Sequence, residues 1–150
     1  MNPLTPALVV RNALPQDAAA LAALLAELGF PAPASVVADR LRSLSDAGAP
    51  VLVAVRGEIP VGLLTLHVMS VLHRPARVGR LTALVVTAAE RGRGVGRALV
   101  AAAERTLAAR GCGLVEVTSN RERPDAHAFY QHLGYEVTSL RFKKSLAPAG

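Results

Sequence analysis

The chain has 150 residues and carries a formal net charge of +6, with a pI near 10.7. That length suits one domain with a real core, and the abundance of Ala, Val and Leu makes that core aliphatic. A lone cysteine, Cys112, excludes an internal disulfide, and five aromatic residues are too few for a platform that stacks single-stranded nucleic acid.

Met1 to Val10 has no basic residue before its short apolar patch, which argues against a secretory signal. Together with the single thiol, this makes the cytoplasm the expected location. Ala7 to Arg11 reads as a first strand. Pro15 opens a helix whose Leu21, Leu24, Leu25 and Leu28 form one stripe, ended by Gly29. Ser35 is placed to cap a second helix, with Val36, Val37, Leu41 and Leu44 at helical spacing and Gly48 closing it. Val51 to Val55 and Val61 to Val71 flank Arg56-Gly57-Glu58, the pattern of a hairpin. The longest uncharged run, Ile59 to His73, holds Pro60 and Gly62 and is too short to span a bilayer. Pro75 to Gly79 reads as a loop. Leu81 to Val86 is then an apolar run that reads as a buried strand.

The next six residues, Arg91-Gly92-Arg93-Gly94-Val95-Gly96, lead into a helix expected over 94–110. A strand, a glycine-rich turn and a helix together present unpaired backbone N–H groups and a positive dipole end to one point. Phosphates bind such points. Alternate glycines let a ligand approach the backbone closely, and Arg91, Arg93 and Arg97 add charge around it. The segment is read as a pyrophosphate cradle. It is not a P-loop, because no Gly-Lys pair occurs in the chain. It is not the dinucleotide fingerprint GxGxxG either, since Arg97 and Leu99 stand where the third glycine would be needed.

Beyond the helix, Leu114 to Ser119 reads as a strand and 126–133 as a short helix ended by Gly134. Tyr135 to Leu146 is expected to give one or two closing strands. Cys112 lies between Gly111 and Gly113 with no basic neighbour, and reads as an inert small residue at a turn. Three of the five aromatic residues fall in the stretch Ala126-His127-Ala128-Phe129-Tyr130-Gln131-His132-Leu133-Gly134-Tyr135-Glu136. No repeat, low-complexity segment or linker interrupts the chain.

Two motifs now stand in order. Arg91, Gly94 and Gly96 spell (Gln/Arg)-x-x-Gly-x-(Gly/Ala), and 33 residues separate Gly96 from Phe129, where A-x-x-F-Y-x-x-x-G-Y begins to show its aromatics. The pair resembles the acetyl-CoA loop and the aromatic signature of the GNAT N-acetyltransferase superfamily. The resemblance covers nearly the full length as a single domain, 1–150. It implies an α/β (α+β) fold of order β-α-α-β-β-β-α-β-α-β, with a mixed sheet that splays between the strands at 81–86 and 114–119. It implies acetyl-CoA as cofactor, its pantetheine arm in the split and paired with the backbone of Leu84, Val85 and Val86. It places the Leu84 N–H at the thioester carbonyl and Tyr130 near the sulfur as general acid. A phenol with a pKa of ~10 stays protonated at neutral pH and suits a thiolate leaving group. Asn120 matches an asparagine that touches the cofactor, although ten residues separate it from Tyr130 and Arg121-Glu122-Arg123-Pro124-Asp125 lie between. Arg121 and Arg123 are candidates for the 3′-phosphate or the acceptor, against simple solvation.

Acyl transfer to an amine needs a deprotonated nitrogen, donors for the developing oxyanion and a proton for the thiolate. Many relatives carry a carboxylate on the strand before the glycine loop. Here Thr82 and Ala83 stand there, which leaves Glu116, His67, His73 or water as the base. No cluster suggests a metal. The alternative to a transferase is a fold of the same kind that holds an acyl-CoA without turnover. The basic charge brings no nucleic-acid motif with it, so the expected partner is a primary amine on a small molecule or peptide, and a homodimer is compatible with the sequence. The acceptor is expected to be set by the helices at 15–28 and 35–47 and by 135–146.

Overall fold

The computed structural model describes residues 5–118 and 124–147. They form two compact units, one up to Val117 and one from Thr118 onward. The first unit runs β1 (Leu8–Asn12), a 3-10 turn (Pro15–Asp17), α1 (Ala18–Leu28), α2 (Ala34–Asp46), β2 (Val51–Arg56), β3 (Ile59–Met69), β4 (Arg77–Val86), a second 3-10 turn (Ala88–Glu90), α3 (Val95–Ala109) and β5 (Cys112–Val117). The second holds α4 (Pro124–His132).

One five-stranded sheet follows chain order, with β1 to β4 antiparallel and β4 parallel to β5. A parallel pair needs a crossover, and α3 supplies it. Two glycines let α3 lie close against the sheet. A Cβ on Gly62 would sit 2.9 Å from methyls of Leu99 and Val95, and one on Gly79 would sit 2.6 Å from Leu107. Leu99 and Leu107 are fully buried there, each contributing roughly 1.5–3 kcal/mol of apolar burial. The opposite face packs Val53, Val55, Leu63 and Val85 against Leu21, Leu24 and Val37 of α1 and α2.

Several boundaries differ from the sequence pattern. The strand before the glycine loop starts at Arg77, so 77–79 is strand rather than loop. Gly79 looks like turn punctuation but is there for the close approach of α3. Ser35 lies inside α2, whose N-cap is Pro33. Pro15 opens a 3-10 turn, and α1 proper begins at Ala18. Over 135–147 the expected closing strand is not formed. Val137, Leu140, Phe142 and Leu146 are all exposed there. A strand depends on a surface to bury against and on backbone partners more than on propensity.

Candidate active site

The sheet splits where β4 meets β5. Their pairing runs from Arg77 opposite Cys112 to Leu81 opposite Val117 and stops there, while β4 continues to Val86. A bulge marks the same point. Thr65 pairs with Ala83 and Leu66 with Leu81, leaving Thr82 as the extra residue. Bulges bend a strand and end pairing, which gives the local reason for the split. Among the described residues, the β5-side edge of 82–86 has no strand partner; by alternation from the Thr87 N–H bond to the Val61 carbonyl, it presents the backbone groups of Leu84 and Val86, while those of Val85 point to β3.

That edge leads directly into the glycine loop. Gly92 and Gly94 adopt φ of +75° and +86°, values that L side chains rarely take, and Gly94 is the N-cap of α3. A Cβ on either would meet nothing within 4 Å, so the space before the helix is open. No side chain caps α3, and its first backbone bond runs from the Ala98 N–H to the Gly94 carbonyl. The N–H groups of Val95, Gly96 and Arg97 thus lie in the uncapped first turn. Gly96 is already helical and has no positive φ. The loop therefore fits a diphosphate.

The arginines are placed less freely than their spacing suggests. Arg91 Nε donates to the Val86 carbonyl at 3.3 Å. Arg93 Nη1 donates to Glu90 Oε2 at 2.9 Å, while the Arg56 Nε donates to Glu90 Oε1. Arg97 is exposed on the first turn of α3. Glu90 is buried, so two guanidiniums clamp a desolvated carboxylate directly under the loop. A third strut comes from α1. Glu27 accepts from Thr87 Oγ1 at 2.9 Å and from the Ala88 N–H at 3.1 Å. Sequence reasoning missed Glu90, Arg56 and Glu27. Only the three-residue spacing of Glu90 and Arg93 hinted at one pair, and Arg56 is 34 positions away.

On the sheet face away from α3, cross-strand pairing sets His67 opposite Arg80 and Arg80 opposite Glu116. Arg80 donates to Glu116 Oε1 from Nε at 2.9 Å and from Nη2 at 2.5 Å. Nearer the loop, the Thr65 and Thr82 hydroxyls share a hydrogen bond of 2.6 Å. His67 and Glu116 are thus brought to one row at the mouth of the split, whereas His73 is exposed in the turn after β3. Cys112 is half-buried at the start of β5, with a free thiol.

In the second unit, Tyr130 stands on α4, edge-on to Phe129 at 5.1 Å and to Tyr135 at 5.7 Å. Burial pushes its phenol above the ordinary value, which keeps it protonated at neutral pH. The α4 helix ends as Gly134 takes φ of +94° and the Tyr135 N–H returns to the Tyr130 carbonyl. Asn120, Arg121, Glu122 and Arg123 lie outside the described residues.

The family model of the acetyltransferase (GNAT) family matches residues 19–135. The chain belongs to the GNAT acetyltransferase family. Among its relatives, this GNAT protein is 35% identical over 104 residues to an aminoalkylphosphonate N-acetyltransferase of Salmonella typhimurium, covering 69% of this chain and 68% of that one. Its fold superposes on a putative acetyltransferase of Agrobacterium tumefaciens with a TM-score of 0.82 at 28% identity, over 92% of this chain and 99% of the other. An aminoglycoside N-acetyltransferase solved with CoA shares the fold at TM-score 0.85 and 19% identity, over 98% of this chain and all of that one. The GNAT fold with its mixed five-stranded sheet, and membership of an acyltransferase family, are thereby established. No helix among the described residues is long and apolar enough to cross a membrane.

Proposed function

We propose that residues 1–150 act as one GNAT domain that moves the acetyl group of acetyl-CoA directly to a primary amine. The observation that carries this reading is the unpaired edge of β4 running into an open, uncapped helix N-terminus. An extended amide-bearing arm suits the first, and a diphosphate suits the second. When bound, acetyl-CoA supplies an activated thioester. The N–H groups at 95–97 hold the diphosphate, with Gly92, Gly94 and Gly96 giving it room and Arg91, Arg93 and Arg97 adding charge. Backbone groups of Leu84 and Val86 align the arm, with Val85 between them anchored to β3, and the Leu84 N–H faces the oxygen that gains charge. Asn120 is assigned to the same cofactor.

Tyr130 gives its proton to the departing thiolate, a role that its raised pKa supports. Removal of the amine proton is assigned to water, because Glu116 Oε1 is taken up by Arg80 and His67 stands opposite Arg80, four positions along β4 from Leu84. The first acceptors to assay are aminoalkylphosphonates, the substrates named for the Salmonella relative.

The test is Tyr130→Phe, which keeps the ring contacts and removes the proton. General acid catalysis contributes ~10²–10⁴-fold, so kcat should fall by about that factor with acetyl-CoA affinity little changed. Wild-type turnover in a folded variant would refute the acid role. A protein that binds acetyl-CoA yet never releases free thiol with any amine would instead be the non-catalytic acyl-CoA module.

A further inference from the structure

Among the described residues, Arg80 stands on the sheet face away from α3, one step before the β4–β5 pairing ends. Its guanidinium is exposed, and so is its partner Glu116. The other arginine–carboxylate pairs of the sheet differ in kind, because Asp17 and Glu90 are buried beneath theirs and serve the fold. An exposed pair adds little to stability, so the Arg80–Glu116 pair has no comparable structural duty. It does fix a direction. Glu116 Oε1 takes the Nε–H and one Nη2–H, which holds the guanidinium plane toward β5 and leaves three of its five N–H donors for another acceptor. A planar fork held in this way is suited to the paired oxygens of a phosphonate, phosphate or carboxylate.

Four positions along β4, one of them the bulge at Thr82, take Arg80 to Leu84 and match three steps of β3, roughly 10 Å. A reacting contact at the thioester, a two- or three-carbon aminoalkyl acid and one hydrogen bond fill that length. His67, opposite Arg80 on β3, adds a further donor to the row. The neighbouring Thr65–Thr82 pair adds hydroxyls between the two ends.

We infer that Arg80, oriented by Glu116, is the specificity-determining residue that binds the acidic group of a small amino acid-like acceptor while its amine lies at Leu84. The inference rests on the transferase reading for the position of the thioester. Its test does not need turnover. Calorimetry on the protein saturated with CoA should show 2-aminoethylphosphonate binding at least roughly tenfold tighter than n-propylamine. Arg80→Gln should weaken the phosphonate amine by roughly 10–100-fold, the loss expected for one charge-assisted bidentate contact. Arg80→Lys, which keeps the charge and loses the fork, should fall between. Arg105→Gln, the same charge change on the exposed surface of α3, should keep wild-type affinity, and melting temperatures confirm that each variant folds. Equal affinity of Arg80→Gln and wild type for 2-aminoethylphosphonate, or no preference over propylamine in the wild type, overturns the inference. Selective binding that depends on Arg80 but yields no thiol when acetyl-CoA is added upholds the inference and refutes the transferase reading alone.

Discussion

Glu90→Gln isolates the clamp beneath the glycine loop. The side chain of Glu90 is 6% exposed, that of Arg56 17% and that of Arg93 50%. Removing one partner of a buried ion pair costs ~3–5 kcal/mol, because the remaining charge stays desolvated. Two features lower that figure here. Glutamine still accepts a hydrogen bond, and Arg56 keeps its Nη1 bond to the Pro6 carbonyl at 3.0 Å. The expected loss is therefore about 2–3 kcal/mol. For a chain of this size ~1 kcal/mol moves Tm by about 2–4 °C, so the melting temperature should fall by roughly 5–10 °C. Glu116→Gln is the matched control, since its pair with Arg80 is exposed and worth ~0–1 kcal/mol. Both variants are followed by thermal and urea unfolding, and acetyl-CoA affinity is measured by calorimetry below the transition. Glu90→Gln should also weaken the cofactor, as Arg93 loses the bond that tethers the loop, whereas Glu116→Gln should leave cofactor affinity alone. If the two variants lose the same small stability, the reasoning about a desolvated clamp is wrong.

Gly94→Val should abolish acetyl-CoA binding at a stability cost of roughly 1–2 kcal/mol, because φ of +86° is strained for any L side chain and nothing else is crowded. Gly96→Val should abolish binding without such a strain cost, because Gly96 is helical and valine is the better helix former, and retained affinity in either folded variant would make the loop mere punctuation. Acid sensitivity should centre on Asp17. Hydrogen bonds from Arg11 at 2.8 and 3.0 Å, helped by the Leu14 N–H at 2.7 Å, hold its carboxyl below the usual carboxylate range. A lowered folded pKa gives stabilisation that is complete above the unfolded value of ~3.9 and lost as pH falls through the folded one. The Tm gap between wild type and Asp17→Asn should thus be full at pH 7 and shrink below about pH 4, and a gap that is constant with pH would rule out this linkage.

The sequence by itself determined which residues become helix and strand over most of 8–117. The leucine stripe of α1, the valine runs of β2 and β4 and the glycine stops are local signals, set by periodicity and by φ/ψ freedom. It also located the glycine-rich turn before α3, because such a turn is a local feature whose N–H groups need no distant partner. What it left open were matters of apposition. Gly79 is a turn residue until Leu107 is seen against it, and Glu90 is a surface charge until Arg56 arrives from β2. The bulge at Thr82 cannot be read from β4, since it exists only in register with Thr65 and Leu66 of β3. The one or two strands expected over 135–146 are not formed for the converse reason: apolar residues become a strand only where backbone partners and a surface to bury against come from elsewhere in the chain.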